Sequence, residues 1–144
     1  MPLFSTSNKR LLLLIGICLC FSLLITAQTN YPTKEGDKVR YEMQIEFRQA
    51  NLSGICLLNR QNDIVKSSLV NEFGVSLMDF SYNELTKKIK ILHLTKKLDR
   101  IAVRQLLKHD LPKVLNAMQE GNSSYNNKKY NITYTFSHIK NSEE

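Results

Sequence analysis

The chain has 144 residues, 20 lysines and arginines against 13 acidic residues, and a formal net charge of +7. That length suits one domain with a modest core, and the basic balance points to anionic headgroups, a polyanion or an acidic protein as partner. Nucleic acid is not expected, because no aromatic platforms for stacked bases are interleaved with the basic residues.

Residues 1–27 read as a signal peptide. Lys9-Arg10 forms a positive start, residues 11–25 are almost wholly apolar, and Ile25-Thr26-Ala27 ends in the small residue that cleavage before Gln28 requires. The apolar run is short of the ~20 residues that span a bilayer comfortably. Neither Cys18, after Ile17, nor Cys20, after Leu19, has the small preceding residue that lipidation needs. Export to the periplasm or the extracellular side of a bacterial envelope is therefore expected. Residues 28–144 then keep 18 basic residues against 13 acids, and Cys56 alone of the three cysteines. The exported domain cannot staple itself internally, and Cys56, between Ile55 and Leu57, reads as a small buried hydrophobe.

Residues 28–37 form a polar leader with Pro32 and Gly36. A first strand over 38–49 alternates strictly, Val39, Tyr41, Met43, Ile45 and Phe47 against Arg40, Glu42, Gln44, Glu46 and Arg48. A turn at Asn51-Leu52-Ser53-Gly54 leads to a second strand, 53–60, whose Ile55-Cys56-Leu57-Leu58 is apolar on both faces and so central. Gln61-Asn62-Asp63 suits a tight hairpin, with its partner strand over 64–71. A strand over 75–82 follows the Gly74 turn, and one over 86–95 sets Ile89, Ile91 and His93 against Lys88, Lys90 and Leu92. The four glycines after residue 28 are all expected at turns.

Asp99 is an N-cap by type. Val103, Leu107 and Leu111 then make an apolar stripe, and Arg100, Arg104 and Lys108 a basic ridge. Pro112 cannot sit in a straight helix. Asp110 is placed to cap a second short helix over 111–119, stopped by Gly121, so two helices in a bend or one with a kink are expected. Residues 121–128 read as a mobile polar loop. Residues 130–139 alternate again, Tyr130, Ile132, Tyr134 and Phe136 facing in, and 140–144 is a frayed tail.

The fold class is α+β: a curved antiparallel β-sheet, an incomplete barrel, of about six strands with a kinked helix or two short helices packed across one face. Phe73-Gly74-Val75-Ser76-Leu77-Met78-Asp79-Phe80, a hairpin to a strand ending at Leu94, and Leu106-Leu107-Lys108-His109-Asp110-Leu111 resemble the layout of the periplasmic lipoprotein carriers LolA and LolB and their small exported relatives, over about residues 72–115. The resemblance implies a single domain over 38–139, an incomplete barrel lidded by helices, with an apolar interior that receives acyl chains. An interior cavity would be lined by Tyr41, Met43, Ile45, Phe47, Leu77, Ile132, Tyr134 and Phe136. Alternation alone serves equally for a filled core.

Between Thr86 and Lys113 nine basic residues face only Asp99 and Asp110. Lys88, Lys90, Arg100, Arg104 and Lys108 are the expected contacts to headgroups or to a protein partner, unless they are simply a solvated face. His93, His109 and His138 are far apart in sequence, no cysteine stands at ligand spacing, and no nucleophile elbow or phosphate loop is present. Catalysis, a metal and a cofactor are thus not expected. Asp79, as an edge or turn-side residue, and Asp110, as a helix cap, are the acids most worth following because apolar residues surround them. The sequons at Asn51, Asn122 and Asn131 are not expected to be modified in a bacterial envelope. Two functions remain open for a monomer: a carrier for a lipid or lipoprotein acyl chain, or a small interaction protein with a filled core that docks on an envelope partner.

Overall fold

The structure is a computed structural model in which residues 5–22 and 30–140 are described. In β1 (Lys38–Glu46), Tyr41, Met43 and Ile45 are buried while Glu42 and Glu46 reach solvent, so one face is apolar and the other wet. Such a strand gains most from partners on both edges. It pairs antiparallel with β2 (Asn51–Gln61) on one side and β7 (Ile132–His138) on the other. Hairpins add β3 (Ile64–Val70), β4 (Ser76–Asn83) and β5 (Lys88–Leu94) beyond β2, and β6 (Ser124–Asn127) lies outside β7. The resulting seven-stranded sheet, in the order β5-β4-β3-β2-β1-β7-β6, curls into a half-barrel. Helix α2 (Ile101–Gln119) packs against both edge strands, β5 and β6, and so bridges the open side. The fold is α+β with an incomplete barrel of seven strands rather than six.

Helix α1 (Ser5–Ser22) falls within the expected signal segment, with Leu11 to Leu14 and Ile17 at least half exposed. Among the described residues no helix is long and apolar enough to cross a membrane. The expected cleavage point after Ala27 and the last residues, 141–144, lie outside the described residues. Among the described residues the buried core draws on residues 31–136, all of which a chain beginning at Gln28 retains. The leader contributes more than polarity. Tyr31 is buried, Asp37 Oδ2 accepts from the Thr33 and Lys34 amides, and Arg60 donates to the Pro32 carbonyl and to Glu84.

Several boundaries move. β1 ends at Glu46, the chain turns through Phe47–Ala50 with a 2.8 Å amide-to-carbonyl bond, and residues 51–54 enter β2. Gly54 therefore stands inside a strand, opposite Met43, and not at a turn. A register shift between Asp79 and Phe80 sets Phe80 opposite Ile91 and Asp79 opposite His93. This bulge rotates the end of β5, exposing His93 and burying Leu94, where simple alternation put His93 with Ile89 and Ile91. Residues 124–127 of the expected loop form β6, and Tyr130, expected to face in, is 53% exposed ahead of β7.

The helical segment is one continuous helix of 19 residues with Pro112 inside it. Its buried stripe of Leu107, Leu111, Val114, Leu115 and Met118 runs through the proline. Burying that stripe outweighs the one hydrogen bond that Pro112 cannot donate. Asp99 does not cap it. The N-cap is Arg100, without a side-chain cap bond, and Asp99 instead pairs with Arg104 at 2.5 Å.

Cys56 is buried, its Sγ 3.2 Å from Ser67 Oγ, and burial pushes its thiol up to about 11. The thiolate is the reactive form. At pH 8 the folded protein then carries about a hundredfold less thiolate than a thiol with the ordinary value. We expect iodoacetamide to leave Cys56 of residues 28–144 unmodified over hours at pH 8, and to label it within minutes in guanidinium; mass spectrometry reads both. Rapid labelling of the folded chain would show that the site opens.

Candidate functional site

Tyr41, Met43, Ile45, Ile132, Tyr134 and Phe136 come together on the concave face, as expected of a cavity lining, but each is almost fully buried in one cluster with Leu107, Leu111 and Leu115 of α2. The helix's apolar stripe fills the half-barrel. Phe47 is half-buried and packs on the core's rim. Leu77 has the wrong parity: Met78, Phe80 and Tyr82 are the buried residues of β4, and Leu77 is half-buried beside them.

The expected basic face divides as well. Lys88 and Lys90 alternate with the buried Ile89 and Ile91, so they project from the convex side of β5, away from α2. Arg100 and Lys108 are exposed on the helical segment, and Arg104 is engaged by Asp99.

Asp79 is neither at an edge nor at a turn. It lies within β4, and its Oδ1 accepts from Ser68 Oγ at 2.5 Å and Ser76 Oγ at 2.8 Å, tying β3 to the start of β4. Asp110 is the more unusual acid. It is 0% exposed and faces the sheet instead of capping a helix. Asn127 Nδ2 donates to both its oxygens at 2.9 and 3.1 Å, and Tyr134 Oη donates to Oδ2 at 2.8 Å. These partners answer the desolvation of a buried carboxylate. Burial first, then the neighbouring Asp110 charge, push the Tyr134 phenol well above its usual range, which keeps it a donor.

From this carboxylate a chain of contacts leads outward. His109 Nδ1 is 3.0 Å from Asp110 Oδ1, and Lys113 Nζ is 3.4 Å from His109 Nε2. With Asp110 ionised, the proton belongs on Nδ1, leaving Nε2 to accept from Lys113. His109 is 62% exposed, so a core carboxylate orients a surface imidazole.

These outer groups border a groove of about 790 Å³ between α2 and the β6–β7 hairpin. Val103 and Leu106 from the helix and Tyr125 and Tyr130 from the hairpin give it apolar walls. Lys113, Lys128 and Lys129 supply positive groups beside the His109 ring, and no carboxylate lines it. The hairpin is fixed from inside. Tyr125 pairs with Tyr134, their rings 6.0 Å apart, and Asn127 Oδ1 accepts from the Tyr130 amide. Asn131, at φ 53°, turns the chain into β7 and leaves Lys128 and Lys129 at the tip, with Lys129 Nζ 5.3 Å from the Tyr130 ring.

A second depression, of about 670 Å³, crosses the convex faces of β1, β2 and β7, but Glu42 and Glu72 line it and it is mainly a wet sheet surface. Among the described residues no three His, Cys, Asp or Glu side chains are gathered as for a metal. The His109–Asp110 pair has the form of a base with its orienting acid, yet no serine, threonine or cysteine lines the groove beside it. The groove is suited to holding a ligand with both apolar and anionic parts. Sequence reading missed most of it, because Tyr125, Lys128 and Lys129 were assigned to a loop or left aside and His109 was set apart from other histidines. Compared with known protein families, curated proteins and solved structures, the chain matches none.

Proposed function

We propose that this is an exported, non-enzymatic envelope protein that binds an amphiphile, its acyl chain lying in the groove between α2 and the β6–β7 hairpin. The carrying observation is that Val103, Leu106, Tyr125 and Tyr130 line one groove together with His109, Lys113, Lys128 and Lys129 and without a carboxylate. Apolar walls with a few convergent polar groups are the usual composition of a ligand site. The groove takes the place of the interior as the chain's binding site because α2 occupies the concave face. Export rests on Lys9-Arg10, the apolar run after it and Ile25-Thr26-Ala27.

The test is native mass spectrometry of residues 28–144 after incubation with lipids extracted from a bacterial envelope. A stoichiometric acyl adduct is expected, lost in Leu106→Asp, whose half-buried site lets the fold survive, and kept in Lys66→Asp on the convex face. A clean apo mass after incubation overturns the reading.

The filled core favours a second reading, a small interaction protein that docks on an envelope partner through Arg100 and Lys108. That reading predicts a specific crosslink from a photoreactive residue at Lys108 in whole cells, abolished by Arg100→Glu.

A further inference from the structure

Resting on the amphiphile reading, we infer that the ligand is an amphiphile with a phosphate monoester head, and that Lys113, Lys128 and Lys129 hold the phosphate. The argument starts from charge. Three lysines and a histidine border one groove from two elements, and no acid shares its lining. The nearest carboxylate, Asp110, is fully buried behind them, its oxygens taken by Asn127, Tyr134 and His109. The groove therefore presents its ammonium groups to whatever enters, in a place where their field is not cancelled.

Geometry narrows the class. A phosphate monoester carries close to two charges and three terminal oxygens at neutral pH, so it brings more charge and one more acceptor oxygen to the lysines than a carboxylate does. The lysines come from both walls: Lys113 from α2, one helical turn beyond His109, and Lys128 and Lys129 from the hairpin tip. Asn126, in the same lining, adds an amide. Asp110 acts here as a positioning residue: by accepting the hydrogen bond from His109 Nδ1 it turns Nε2 outward, where it accepts from Lys113 and holds that ammonium at the groove.

Calorimetric titration with three matched probes tests this: decanoyl lysophosphatidic acid, monodecanoylglycerol and glycerol phosphate, each below any micelle concentration. The lysophosphatidate should bind at least about tenfold more tightly than the monoacylglycerol, as charge-assisted hydrogen bonds to phosphate warrant, and glycerol phosphate should bind most weakly. In the triple variant Lys113→Gln, Lys128→Gln, Lys129→Gln the two acyl probes should bind equally. Equal binding of both acyl probes by the parent chain sinks the phosphate inference and leaves the amphiphile reading standing. Glycerol phosphate binding as tightly as the lysophosphatidate would mean a free phosphate ester is the ligand and would overturn the acyl part. No binding of any probe, with the fold intact by circular dichroism, removes both.

Discussion

Gly54→Ala is expected to destabilise the fold by about 3 kcal/mol, the upper part of the range for overpacking. The methyl would press on backbone atoms, which cannot rotate away. A Cβ at Gly54 meets the Val70 carbonyl, 2.9 Å from its carbon, and stands 3.4 Å from Asn71 Cα. Both lie where β3 leaves its pairing with β2, next to the Ile55–Val70 pair and the register shift at Leu69/Val70 that starts the turn into β4. Relief requires moving β3 away, and with it the ladder that carries Cys56, Leu58, Val65 and Leu69 into the core. For a domain of this size the melting temperature should fall by about 10 °C. Gly36→Ala separates space from backbone conformation. Nothing lies within 4 Å of its Cβ position, but φ is +81°, so about 1 kcal/mol is expected there. Urea unfolding followed by circular dichroism reads both. A Gly54→Ala loss no larger than that of Gly36→Ala would show that β2 and β3 do not approach so closely.

The same glycine marks how far the sequence could be read. The alternation of β1 and β7 declares itself locally, because each strand has one buried and one wet face. Gly54 follows Asn51 and Ser53, so it looks like a turn; only the pairing of Glu46 with Asn51 makes it strand. β6 is harder still. Ser124-Tyr125-Asn126-Asn127 has no apolar alternation, and it is a strand because β7 offers it an edge and Asp110 offers Asn127 a buried partner. Leu77 was misplaced because Leu77 and Met78 are both apolar and only burial chooses between their faces. Pro112 misled in the opposite direction: a sound local rule lost to a continuous apolar stripe. The groove was illegible for one reason that covers all these cases. Residues 103–113 and 125–130 have no common periodicity, and the return of β6 to the helix is a tertiary event.

Asp110→Ala should destabilise the protein by about 3 kcal/mol, through what it leaves behind and not through lost volume. In the parent, one buried carboxylate satisfies Asn127 Nδ2 and Tyr134 Oη, both in the closed space between α2 and the sheet. Without it two buried donors are orphaned, each costing about 1–3 kcal/mol. Tyr134→Phe removes one donor and leaves the carboxylate bound by Asn127 and His109, so about 1.5 kcal/mol is expected for a bond to a charged group. The double variant should be scarcely less stable than Asp110→Ala alone, since the orphaned phenol is then absent. That non-additivity, read by urea unfolding, is the mark of a network; simple summing of the two losses would show that Asp110 and Tyr134 act independently. The network also ties the groove's walls together, because Asp110 lies on α2 and its partners on β6 and β7. Asp110→Ala should therefore weaken lysophosphatidate binding at a temperature where the variant is still fully folded, while Cys56→Ala, in the β2–β3 ladder and outside the groove lining, should leave it unchanged. Unaltered binding in Asp110→Ala would mean the walls are held by apolar packing alone, and that the buried carboxylate serves stability without shaping the site.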